Sequence, residues 1–110
     1  MSAQAEAPES YLVVINRPGP NWETPLPATA EMAASHHAIY QELLEDGLLI
    51  SAGRLDGTPV MGISLFHQGA DEQAIREKLD SDEFVTRGYL TLEYRNWQLL
   101  SGSLAGLQNR

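Results

Sequence analysis

The chain has 110 residues, no cysteine and a formal net charge of −8, from 15 acidic against 7 basic residues. That length suits one domain able to bury a core without disulfides, and the absence of cysteine suits a reducing cytoplasm. An acidic balance with no Lys/Arg cluster argues against nucleic acid and anionic membrane surfaces as partners, and no stretch approaches the roughly 20 apolar residues of a membrane span.

Residues 1–10 (MSAQAEAPES) lack the basic-then-apolar pattern of a signal peptide and read as a disordered leader. The domain is expected over residues 11–100, with a loosely held C-terminal tail over 101–110 (SGSLAGLQNR). Tyr11–Asn16 (YLVVIN) is a short apolar run of β-formers and predicts a buried central strand. Arg17–Pro27 holds four prolines and predicts a semi-rigid loop. From Ala28 an Ala-rich amphipathic helix is expected, closing at Gly47. Leu48–Arg54 and Val60–Phe66 flank a turn at Asp56-Gly57 and predict two antiparallel strands. Asp71 is placed to cap a second helix running through Leu79, with Glu72 and Arg76 paired at i, i+4. SDEFVTRG adds a further turn ended by Gly88, and Tyr89–Leu99 reads as the last strand.

This β-α-β-β-α-β order predicts an α+β, ferredoxin-like fold, an antiparallel sheet with two helices on one face. YLVVIN is apolar on both sides, and two helices cover only one. A homodimer packed face to face, an α+β barrel-like assembly, would cover the other.

Two adjacent histidines interrupt the first helix. At roughly 100° per residue, Met32, Ala33, Ile39, Tyr40, Leu43 and Leu44 fill an arc of about 140°, with His36 near its middle and His37 at its edge. His36 is then either a core histidine satisfied by one hydrogen bond or, with a carboxylate partner, a poised acid or base. The second helix runs beside the first, so Asp80, Asp82 and Glu83 are the acids within reach. Trp22 and Asn21 either wall a pocket mouth above His36 or cap the helix or a dimer contact. Arg17 is a candidate for an anionic substrate group and Tyr40 for a hydroxyl in the pocket, each with an ordinary surface or packing role as the alternative. Arg95, Trp97 and His67 are read as structural or solvated. No HExxH or cysteine set supports a metal, no GxGxxG or P-loop supports a nucleotide cofactor, and no GxSxG supports a hydrolase.

Several of these residues fall into one ordered pattern: RPGPNW before the helix, His36 with Gly47 eleven positions on, then Ala52-Gly53 and Leu55. Asp82-x-Phe84-Val85-x-x-Gly88 and Arg95-x-Trp97 complete it. In this pattern the chain resembles the YciI-like (YCII-related) proteins from Tyr11 to Trp97. The resemblance implies a ferredoxin-like fold, commonly dimeric, with a His–Asp pair in a cleft proposed as the active site. That pair maps onto His36 and Asp82, with His37 as the substitute if the helix is shifted by one residue. The family often has proline where Arg54, Glu83 and Asn96 stand here. The expected function is acid/base chemistry on a small organic molecule, of lyase, isomerase or dehalogenase-like type, without a cofactor. The alternatives are a non-catalytic dimeric ligand-binding or accessory module and a purely structural interaction protein.

Overall fold

The computed structural model describes residues 9–23 and 29–106. Residues 1–8 of the expected leader and 107–110 of the expected tail lie outside the described residues, as does the 24–28 part of the proline-rich loop. The elements in order are β1 (Ser10–Pro18), α1 (Ala30–Glu45), β2 (Leu49–Leu55), β3 (Met61–Phe66), α2 (Glu72–Asp80), α3 (Glu83–Thr86) and β4 (Leu90–Gln98). The fold is α+β, with one four-stranded antiparallel sheet in the order β2-β3-β1-β4. It is compatible with a ferredoxin-like class.

Local chemistry sets the boundaries. Thr29 caps α1 by accepting a hydrogen bond from the Met32 amide at 3.0 Å, satisfying one of the donors a helix start leaves open. Gly47, at φ 75°, turns the chain out of α1. Asp71 caps α2 through the Ala74 amide, and Glu72 pairs with Arg76 at 2.9 Å. β1 runs two residues further than the apolar pattern suggests, through Arg17 and Pro18. Both continue the ladder with β4, opposite Thr91 and Leu90.

Strand parity divides the sheet into two faces. Even-numbered residues of β1, β3 and β4 face α1 and α2. There Val14 and Phe66, with Leu49 of β2, form a buried cluster with Leu43, Ile75 and Leu79. The other face carries the partly or largely exposed Ile15, Ile63, Leu65 and Trp97, together with the buried Tyr11 and Val13 and the ion-paired Arg17, Glu93 and Arg95. The apolar arc expected of α1 is only partly buried. Met32 and Leu43 are interior, while Ala33 and Leu44 are exposed, Leu44 beside a cleft between α1 and the sheet.

The tail is also tied more firmly than expected, at least through residue 104. The Glu9 carboxylate accepts from the Tyr11 hydroxyl, the Ser103 hydroxyl and the Leu104 amide.

Candidate active site

The cleft has a volume of about 430 Å³ and lies between α1 and the β2–β3 side of the sheet. From α1 come His36, His37 and Tyr40; from the strands come Asn16, Arg54 and Ser64. Trp22, Leu44 and Val60 supply apolar wall.

His36 is the centre of the arrangement. Its Nδ1 lies 2.5 Å from Asp82 Oδ2, with the imidazole 32% exposed and the carboxylate only 4%. Asp82 sits behind the ring, away from the cleft, and its other oxygen accepts from the Phe84 amide at 3.0 Å as the N-cap of α3. One buried carboxylate thus starts a helix and orients an imidazole, with no oxygen left unengaged. The rings of Tyr40 and Phe84 meet His36 edge-on at centroid distances of 5.1 and 5.4 Å. With Nδ1 committed to Asp82, Nε2 is the ring nitrogen left for chemistry.

The α3 segment that carries Asp82 is held by a stitch to the end of β1. Gly19 donates to the Tyr89 carbonyl, the Asn21 amide to the Gly88 carbonyl, and the Asn21 side chain to the Arg87 carbonyl at 2.8 Å. A Cβ on Gly19 would lie 2.4 Å from the Gly88 carbonyl oxygen, so the contact depends on glycine there. Gly88 itself takes φ 78°, a conformation glycine adopts without cost. The PGPNW run and the Gly88 turn therefore form one structural unit that also brings Trp22 to the cleft.

Tyr40 lies one helical turn after His36. Its oxygen accepts from Asn16 Nδ2 at 3.2 Å. Burial raises the Tyr40 pKa above its ordinary value and the Asp82 charge adds to this, opposing the hydrogen bonds from Asn16 and Ser64. The phenol stays protonated and can donate. Asn16 Oδ1 is buried without a partner among the described residues. Gly62 lies between Asn16 and Arg54 in one cross-strand row, and a Cβ there would come within 3.3 Å of the Asn16 side chain. The glycine lets the Asn16 side chain pack directly against the β3 backbone in the cleft floor.

Of the residues singled out from sequence, His36, Tyr40 and Trp22 line the cleft and Asp82 supports it. His37 is exposed and also reaches the lining, but it is His36 that meets Asp82. Arg17 is not brought to the site. Its odd parity in β1 puts it on the opposite face, paired with Glu93 at 2.6 Å. The same strand instead contributes Asn16 to the cleft. Asp80 accepts from the Tyr94 hydroxyl and Glu83 pairs with Arg87, so neither competes for His36. Asn16 and Ser64 were not singled out, although each is a lone polar residue at core parity in an apolar strand, and that was the available signal. No family model, curated protein or solved structure matches this chain. Among the described residues no three His, Cys, Asp or Glu side chains gather as a metal site, and no helix is long and apolar enough to cross a membrane.

Proposed function

We propose that the protein is a small enzyme of the YciI-like type, in which His36 is general acid and base and Asp82 its positioning partner. The observation that carries this reading is the His36 Nδ1–Asp82 contact at 2.5 Å with the imidazole lining the cleft. A carboxylate accepting from Nδ1–H holds the tautomer whose Nε2 lone pair is free. Nε2 takes a proton from a substrate carbon, and the C–H electron pair moves into the substrate. That pair either forms an enolate, to which Nε2–H returns the proton at another atom (isomerisation), or expels a leaving anion as a double bond forms (lyase or dehalogenase-like elimination). Tyr40 donates its O–H to the oxygen on which charge develops.

The second part of the reading is a homodimer. The sheet face with Ile15, Ile63, Leu65 and Trp97 would be buried by a second copy in an α+β barrel-like assembly. The cleft opens on the helix side and stays accessible. A chain with no cysteine suits the cytoplasm.

The test is a screen of small carbonyl compounds, lactones and halogenated rings in deuterated water, followed by NMR. Turnover or deuterium uptake at a substrate carbon is expected, and His36→Gln should slow it by about 10²-fold or more. A ligand that binds in the cleft but neither turns over nor exchanges would make the protein a binding module instead.

A further inference from the structure

The cleft has a charge character opposite to that of the molecule. The chain carries 15 acidic residues against 7 basic ones, yet among the described residues the lining contains no carboxylate. It holds one guanidinium, Arg54, whose carboxylate partner Asp56 lies outside the lining. Asp82 is behind the His36 ring with both oxygens engaged. A cation in the lining attracts ligands of the opposite sign.

We propose that the cleft takes a small organic carboxylate with an apolar body, its anionic group seated on Arg54. Arg54 stands in the same cross-strand row as Asn16, with only Gly62 between them. A carboxylate lying over this row meets the guanidinium fork in two-point contact. Arg54 now pairs with Asp56 at 3.1 Å, but both side chains are largely exposed, at 74% and 86%. Such a pair is weakly held and readily exchanged for a ligand carboxylate. Trp22, Leu44 and Val60 wall the remainder of the cleft and match an aliphatic or aromatic body, which extends from Arg54 toward Tyr40 and His36.

The inference rests on the reading of this cleft as the place where His36 works, but binding tests it separately from turnover. The probes are benzoate, phenylacetate and 2-naphthoate, each paired with its uncharged amide, titrated into the whole chain with the Ala52, Gly53 and Ser64 amide resonances as readout. At least one carboxylate should bind about tenfold or more tighter than its amide, with the difference shrinking as salt is added. Arg54→Gln should erase that preference, whereas Arg76→Gln, the same charge change on α2, should leave it intact. Equal binding of acids and amides, no response to any carboxylate at millimolar concentration, or a preference that survives Arg54→Gln would each overturn the proposal. Tighter binding of phenyl phosphate than of every carboxylate would do so too. A cleft that selects carboxylates but never turns them over would keep this inference and remove the catalytic one. Turnover of an uncharged substrate would do the reverse.

Discussion

His36 and His37 are adjacent in sequence, yet only one of them meets an acid. The turn of α1 points His36 toward α3, where Asp82 is buried, and leaves His37 exposed. Asp82 carries two tasks, orienting His36 and capping α3, and substitution separates them. Asp82→Asn keeps an oxygen for the Phe84 amide and can turn its NH2 toward Nδ1. The imidazole should then move from the Nδ1–H to the Nε2–H tautomer, read from its ¹⁵N shifts, while His37 is unchanged. An unaltered His36 tautomer would mean that the carboxylate does not set it. Asp82→Ala removes the cap as well and should be less stable than Asp82→Asn by about 1 kcal/mol in urea denaturation.

At the scale of elements, the turn after β1 and the turn after α3 lock together. Gly19→Ala puts a methyl group against backbone, the Gly88 carbonyl at 2.4 Å, and neither strand end can yield without moving α3. We expect a loss of about 1–3 kcal/mol, with the His36 and Phe84 resonances shifting because Asp82 moves with its helix. Stability near wild type with those resonances unmoved would show that the stitch does not position the site. The Glu9 clasp on residues 103–104 is the other tie between remote segments. Hydrogen bonds from Ser103 first, then Tyr11 and Leu104, hold the Glu9 pKa below its ordinary value of 4.5. A lowered folded-state pKa means the contribution is present above the unfolded value and lost as pH falls through the folded one. The clasp is therefore intact at neutral pH and opens on acidification below 4.5. The Leu104 amide resonance should titrate with a midpoint below that value, and Glu9→Gln should abolish the titration. A Leu104 shift independent of pH in the wild-type chain would contradict the assignment.

At the scale of the whole molecule, the sheet has one face built against helices and one that carries Ile15, Ile63, Leu65 and Trp97 beside the Arg17–Glu93–Arg95 ion pairs. Light scattering at micromolar concentration should return twice the 12.1 kDa chain mass. Ile15→Glu, a charge at the middle of the uncovered face, should weaken association about tenfold or more without unfolding the helix-side core. A monomer that persists at high concentration would remove the barrel-like assembly.

The element order, the caps at Asp71 and the glycine stops at Gly47 and Gly88 were legible in the sequence, because short-range rules govern them. An apolar run, a capping carboxylate and a left-handed glycine act within a few residues of themselves. His36 as the histidine on the inner arc was legible for the same reason, since helical periodicity is local. What remained open was everything that depends on which strand lies beside which. Arg17 and Asn16 are neighbours in one strand, and only the register with β3 and β4 sends Arg17 to Glu93 and Asn16 to Tyr40. Arg54 and Gly62 became parts of a cleft only through the pairing of β2 with β3. Periodicity alone left Asp80, Asp82 and Glu83 open; the resemblance pointed to Asp82, and the start of α3 directs that carboxylate inward and its neighbours to Tyr94 and Arg87. Periodicity assigns a face within each element. Which faces meet is a property of long-range packing, and the tertiary structure alone decides it.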